Sequence, residues 1–297
     1  MKKIILSENT IYNEKSTQNI KIFANIFGID GISDALSNSA DGIGLFRSEF
    51  LYFENGGFPS EEVQFSIYKK ALCSMAGKPV IIRTFDFGQD KQIDSSEPCN
   101  EQNSALGLRG IRLCLTTHTE IFKTQLRALY RASVYGNLGI MFPMITGLAE
   151  LDAIKRILVE VKSDLKNRAI PYSDNTKTGI MIETPAAAIL SDELSQATDF
   201  FSVGTNDLSQ YTFACDRQNA ELEPFIDKSK RALMRLIEIS AKNAHDAGIP
   251  IGICGELAAD TSFTEEFIKI GIDSLSVSPQ NIPILRNFIR NLHSHNR

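Results

Sequence analysis

A chain of 297 residues, 43% of them hydrophobic, can bury a large core as one big domain or two small ones. Its net charge of −5 is spread over both signs with no lysine- or arginine-rich run, which argues against nucleic acid as a partner. No apolar run approaches a membrane span, and Met1–Leu6 turns polar too soon for a signal peptide, so a cytoplasmic protein without membrane attachment is expected.

Residues 1–19 are polar and unpatterned, and read as an N-terminal arm or linker. Residues 20–297 carry a strand–helix rhythm. Ile20–Ile26 reads as a strand and Ile32–Asn38 as a short helix. Asp41–Arg47 is a second strand, with a helix near Ser60–Met75. Pro79–Phe85 is a third, followed by a long polar loop and a helix from about Ala105 to Ser133. Leu138–Pro143 is a fourth, with a helix near Ala149–Asn167. Thr178–Glu183 is a fifth, with a helix from Pro185 to about Gln196. The apolar run Phe200–Val203 is a sixth, with a helix over Lys228–Ala247 that Gly248 ends. Pro250–Cys254 and Ser274–Ser278 are the last two, and a helix runs from about Ile282 to Leu292. Eight apolar strands alternating with helices is the count for a closed parallel barrel, so the expectation is a single (β/α)8 domain. Gly42-Ile-Gly44 lacks the third glycine of a dinucleotide fingerprint and suits close packing in the barrel wall.

In such a barrel the carboxyl ends of all strands surround one mouth. Those ends hold Arg47 and Glu49, Arg83 and Asp86, Met144, Glu183, Asn206 and Asp207, Cys254 and Glu256, and Ser278. The longest loops on this face are expected at Phe50–Pro59, Phe87–Ser104 and Leu208–Asp227. Arg47 and Arg83 each follow an apolar run, where a guanidinium needs an anionic partner. That partner is either a nearby carboxylate, Glu49 or Asp86, or a bound phosphate gripped by the planar fork. Arg109 can join them, whereas Arg112 suits a solvated helix face equally well. Glu183 and Asp207 end neighbouring strands about 4.8 Å apart. Two carboxylates so close repel unless a cation separates them, and oxygen ligands point to Mg²⁺ or Mn²⁺. The bland alternative is two independent helix caps.

The five cysteines, Cys73, Cys99, Cys114, Cys215 and Cys254, include no CxxC pair, which argues against a disulfide framework or a zinc site. Cys254 is either inert packing or, given its place at the mouth, a neutral thiol able to donate a proton. None of the four histidines, His118, His245, His293 and His295, falls at a strand's carboxyl end. A histidine that exchanges phosphoryl groups with this mouth has to come from another domain or chain.

The segments Gly42–Leu51 (GIGLFRSEFL), Arg83–Lys91 (RTFDFGQDK), Ile140–Met144 (IMFPM), Glu183–Ala187 (ETPAA), Asp199–Gln210 (DFFSVGTNDLSQ) and Cys254–Ala258 (CGELA) closely resemble Enzyme I of the sugar phosphotransferase system. That family consists of phosphoenolpyruvate–protein phosphotransferases. The likeness covers about residues 20–292, which correspond to its C-terminal, phosphoenolpyruvate-binding barrel. The resemblance implies that Arg47 and Arg83 hold the phosphoryl group with Arg109 assisting. It implies that Glu183 and Asp207 bind Mg²⁺, and that Asn206, the backbone of Asp207, and Arg217 fix the substrate. Cys254 would protonate the enolate carbon to give pyruvate, and Lys91 would face the site. Family members also carry an N-terminal phosphohistidine domain that docks the small phosphocarrier protein HPr, for which this chain has no room. A fragment, an engineered domain or a truncated relative is therefore expected, and homodimerisation is implied. Gln89 stands where the family usually shows Gly, and Ser48 where Thr is usual.

Three alternatives compete with the phosphotransferase reading. One is a non-catalytic phosphoenolpyruvate-sensing or dimerisation module. Another is a pyruvate phosphate dikinase-like barrel, which resembles the Arg47 and Cys254 regions but differs in the loop after Arg83-Thr84. The third is a lyase or aldolase-type barrel that stabilises an enolate with Mg²⁺, which leaves the arginines and the thiol unexplained.

Overall fold

The computed structural model describes residues 20–54, 57–87, 103, 105–222, 224–225 and 230–295. The arm, Lys91 and most of the Phe87–Ser104 loop lie outside the described residues. Eight strands form a closed, all-parallel barrel in chain order: β1 (Lys21–Ile26), β2 (Ile43–Arg47), β3 (Val80–Arg83), β4 (Leu138–Phe142), β5 (Lys177–Ile182), β6 (Phe201–Gly204), β7 (Ile251–Cys254) and β8 (Ser274–Val277). β8 closes on β1 through pairs such as Ile22↔Leu275, so the sheet has no open edge. This is the (β/α)8 barrel expected from the sequence.

Alternation along the strands sorts the side chains into two cores. Phe46, Ile82, Ile140, Ile180, Val203 and Ile253 belong to the large core that also takes in the surrounding helices. Leu45, Met141, Met181, Phe200 and Cys254 form a separate cluster, with Ile81 packed against it. Burying each large apolar side chain contributes roughly 1.5–3 kcal/mol. Phe200 is accommodated by a gap in the wall, since a Cβ on Gly179 would lie 2.5 Å from its ring. The same alternation places Arg47 two residues beyond Leu45, Arg83 beyond Ile81 and Glu183 beyond Met181. Three polar groups thus reach the rim on the inner side, above an apolar floor.

The helices depart from the sequence reading in several places. The Phe50–Pro59 loop opens with a helix, Phe50–Glu54, before the helix Glu61–Ser74, whose N-cap Ser60 accepts from Val63 N at 3.4 Å. The helix expected over Ala105–Ser133 is two, Ile111–Leu115 and Thr119–Ala132. Gly110, at φ 54°, precedes the first, and Thr116 ends it with its hydroxyl turned back to the carbonyl of Arg112 at 2.7 Å. The Pro185–Gln196 helix also splits, into Pro185–Ile189 and Ser191–Ser195, and Ser191 Oγ donates to the Ala188 carbonyl at the break. The stretch Leu208–Asp227 is not a loop throughout, because a helix, Thr205–Phe213, starts directly on Gly204. A further helix, Thr261–Lys269, is capped by Asp260 and buries Thr264, Phe267 and Ile268 at helical spacing. The last helix extends over Ile282–His295.

Candidate active site

A cavity of about 530 Å³ opens at the C-terminal end of the barrel. All eight residues singled out from the sequence line it: Arg47, Arg83, Arg109, Glu183, Asn206, Asp207, Arg217 and Cys254. Glu49, Asp86 and Asp216 join them, so four arginines and five carboxylates line the cavity. Strand ends supply most of these groups. Arg109 comes from the turn before the Ile111–Leu115 helix, and Arg217 from the segment beyond Phe213.

Arg83 and Arg109 turn their terminal nitrogens to carboxylates. Arg83 is buried and pairs with Glu49 Oε1 at 2.8 Å and Asp86 Oδ2 at 3.0 Å. Arg109 grips both oxygens of Asp86, at 3.0 and 3.1 Å, and reaches Asp207 Oδ1 at 3.0 Å. The ion-pair reading of Arg83 is therefore realised with both carboxylates named for it. Burial pushes the Asp86 carboxyl up, but the guanidinium groups of Arg83 and Arg109 outweigh it and hold it at about 2. Burial alone would lower Arg83 and Arg109, yet the neighbouring carboxylates, Glu49 and Asp86 for Arg83 and Asp86 and Asp207 for Arg109, raise both. Arg112 instead meets Glu150 at 3.9 Å, a partly solvated pair on a helix face.

Arg47 differs. It forms no ion pair with a carboxylate among the described residues, and its Nε, like that of Arg83, is buried without a hydrogen-bond partner. Burial, then repulsion from Arg83, lower its affinity for its own proton. A guanidinium in that state gains from an anion brought to its free donors.

Asp207 does not cap its helix. The N-cap position is Gly204, without a side-chain cap, and Asp207 sits in the first turn. Its oxygens face Arg109 at 3.0 Å and Arg217 at 3.8 Å. Glu183 follows β5, and β5 pairs with β6. Its Oε1 accepts from Met144 N at 2.7 Å, and Met144 adopts a left-handed φ of 58° to aim that N–H. Glu183 Oε2 is buried without a partner. Burial first, then the charges of Asp86 and Asp207, push the Glu183 carboxyl up to about 8. Next to Glu183, Thr184 caps the following helix through Ala187 N and donates to the Ile145 carbonyl, which fixes the strand's exit.

Cys254 ends β7 and is 2% exposed. Ser202 Oγ donates to its sulfur at 3.1 Å, and the thiol faces the Val203 carbonyl at 3.5 Å. Burial, against the Ser202 hydrogen bond, pushes the thiol up to about 11, so it keeps its proton at neutral pH. The chain then turns at Gly255. Its φ of 130° suits glycine alone, and a Cβ there would collide with Thr205 Oγ1. Asn206 exchanges two hydrogen bonds of 3.0 Å with Glu256, one to its carboxylate and one from its backbone N–H.

Sequence reasoning missed two contributors. Tyr211 hydroxyl accepts from Arg109 Nη1 at 3.3 Å, and Ser202 touches the thiol. A lone hydroxyl inside the apolar run Phe200–Val203 was the available signal for Ser202. Among the described residues no histidine lines the cavity. His118 packs beside Phe58, His245 bonds Asp273, and the side chains of His293 and His295 lie outside the described residues.

Comparison with known proteins gives the family and the fold. Residues 6–294 match the family described as PEP-utilising enzyme, PEP-binding domain. The chain is 44% identical over 263 residues to the phosphoenolpyruvate-protein phosphotransferase of Geobacillus stearothermophilus, covering 89% of this chain and 45% of that protein. It is 41% identical over 288 residues to the protein of the same name from Bacillus subtilis (strain 168), covering 97% and 50%. The chain thus spans about half the length of the curated relatives it matches. Two solved structures share the fold alone. A HpcH/HpaI aldolase/citrate lyase family protein from Burkholderia cenocepacia J2315 is similar at 12% identity and TM-score 0.51, over 94% of this chain and 95% of that one. The 3-dehydroquinate dehydratase of Geobacillus kaustophilus HTA426 is similar at 10% identity and TM-score 0.54, over 94% and 93%. With a match over nearly its whole length, the chain belongs to the PEP-utilising enzymes, as their PEP-binding domain.

Proposed function

We propose that this barrel binds phosphoenolpyruvate together with Mg²⁺ and passes its phosphoryl group to a histidine supplied by a separate domain, releasing pyruvate. The single observation that carries the reading is the buried, unpartnered Arg47 Nε in a cavity that also holds a protonated thiol. Arg47 grips the phosphoryl oxygens, and Arg83 and Arg109 hold positive charge beside them. Asn206, Asp207 through its backbone, and Arg217 orient the carboxylate end of the substrate. The bond from phosphorus to the enol oxygen breaks and a bond to the histidine nitrogen forms. The enolate left behind takes the Sγ proton of Cys254 on its methylene carbon and becomes pyruvate. Solvent then reprotonates the thiolate.

The carboxylates fit a hard cation. Glu183 Oε2 is buried without a partner, and Asp207 shares the same wall. Among the described residues no group of three or more His, Cys, Asp or Glu could hold a metal ion; in this reading the protein side of the site is these two carboxylates alone. That suits Mg²⁺, which keeps waters and substrate oxygens in its shell. When bound, the ion supplies charge neutralisation to the phosphoryl group and enolate oxygen.

The relatives' name motivates the wider role. In it the acceptor is an N-terminal phosphohistidine domain that hands the group to HPr, in the first step of sugar uptake by a cytoplasmic homodimer. No helix among the described residues is long and apolar enough to cross a membrane. Isothermal titration with phosphoenolpyruvate, with and without Mg²⁺, tests the site. Saturable binding strengthened by the ion is expected, and no heat in either buffer would overturn the reading.

A further inference from the structure

The arginines at the mouth differ in what holds them. Arg83 and Arg109 present their forks to carboxylates. Arg47 Cζ instead lies 4.9 Å from the centroid of the Phe27 ring. No carboxylate among the described residues forms an ion pair with Arg47. Phe27 directly follows β1, beside the strand that ends in Arg47, and Ile26 pairs with Phe46 in register. The ring is 48% exposed. It meets Phe50, which lines the cavity, edge to face at 4.9 Å.

An aromatic ring left in water loses the hydrophobic stabilisation that usually places it. Here its face gives the guanidinium an electrostatic partner that carries no net charge. A carboxylate in the same place would fill the fork, as Glu49 and Asp86 do for Arg83. A ring restrains the side chain and leaves the N–H donors unspent.

We propose that Phe27 is a positioning residue for anion binding, whose ring holds the Arg47 guanidinium at the mouth and keeps its donors free for phosphoryl oxygens. The inference rests on the reading of Arg47 as a phosphoryl contact. Its ligand class is an anionic phosphate ester, with inorganic phosphate as the minimal probe.

Phe27→Leu, Phe27→Trp and Phe27→Glu in the 297-residue chain test it. In titrations with phosphoenolpyruvate plus Mg²⁺, the leucine variant is expected to bind about 2- to 10-fold more weakly. The tryptophan variant should match or exceed the parent. The glutamate variant should lose more than the leucine variant, because its carboxylate competes for the fork. Inorganic phosphate should follow the same order.

A second measurement needs no ligand. In NMR spectra the Arg47 side-chain protons should carry an upfield ring-current shift in the parent and the tryptophan variant, and lose it in the leucine variant. If that resonance does not move between parent and Phe27→Leu, the proposal is overturned. It is equally overturned if the shift is lost but all variants bind with parental affinity. If the parent itself takes up no phosphoenolpyruvate, the function proposed above fails. The ring-current comparison then decides the positioning contact by itself, with loss in Phe27→Leu sustaining it and no change refuting it.

Discussion

The two ends of the barrel use carboxylates in opposite ways. At the N-terminal end Asp41, Asp199 and Asp273 stand just before β2, β6 and β8. Each accepts a backbone N–H from a neighbouring strand at 2.8 Å: Ile22, Thr178 and Ile251 respectively. Each also has a basic side chain beside it, Arg286 at 3.3 Å, Lys177 at 3.0 Å and His245 at 3.3 Å. At this end a carboxylate satisfies a strand N–H that would otherwise lack a partner. At the mouth, Glu49, Asp86, Glu183 and Asp207 are buried, and three of them pair with arginines from other parts of the rim. There Glu49 Oε2, Glu183 Oε2, Arg47 Nε and Arg83 Nε are left without partners. Arg286 Nε, beside Asp41, is unmet at the other end, but unmet polar atoms are costly in a buried place, and four around one cavity mark where a ligand completes the structure.

The contrast can be broken by substitution, beginning where the effect is largest. Cys254→Ala should cut pyruvate formation by about 10²–10⁴-fold in an assay reconstituted with a phospho-acceptor histidine domain. Phosphoenolpyruvate affinity should hardly change, and a parental rate would remove the thiol from its role. Asp86→Ala leaves two buried guanidinium groups short of a partner and should cost about 3–5 kcal/mol of stability. Urea denaturation measures it, and a loss under about 1 kcal/mol would show that the cluster is better hydrated than its burial indicates.

Glu183 gives a pH-dependent case. Its folded carboxyl stands at about 8, against 4.5 for the ordinary group. Below pH 4.5 both folded and unfolded chains hold the proton and nothing is lost. Between 4.5 and 8 the unfolded chain releases it while the folded one does not, so stability falls as pH rises through that window. Glu183→Gln should therefore stabilise the metal-free protein at about pH 8 by about 1–3 kcal/mol and do little at about pH 4.5. Equal midpoints for parent and variant at the higher pH would contradict the raised carboxyl. The smallest effect belongs to the other end. Asp199→Ala should cost about 1 kcal/mol through the lost bond to Thr178 N–H. It should leave phosphoenolpyruvate affinity untouched, and a change in affinity would dissolve the division between the two ends.

Several features of the site are legible in the amino-acid sequence. Arg47, Arg83, Glu183, Asp207 and Cys254 each stand at or just after the end of an apolar run, and apolar runs of that length are readable as buried strands. Glu49 and Asp86 are legible as partners for the arginines. The breaks at Thr116 and Leu190 are not, because both segments keep apolar residues at helical spacing through the interruption. The helix starting on Gly204 escapes for a related reason: its first turn, Thr205-Asn206-Asp207, consists of residues equally at home in a loop.

The amino-acid sequence by itself determined the barrel and which residues reach its rim, because strand periodicity and apolar run length are local properties of the chain. Only the tertiary structure decided how those residues divide the charge among themselves. Whether Arg83 pairs with carboxylates and Arg47 does not, and whether Ser202 or another group touches the thiol, depends on strand register and on neighbours from distant parts of the chain. Coulombic and hydrogen-bond energies change over a few ångströms, and that distance is fixed by packing rather than by spacing along the sequence.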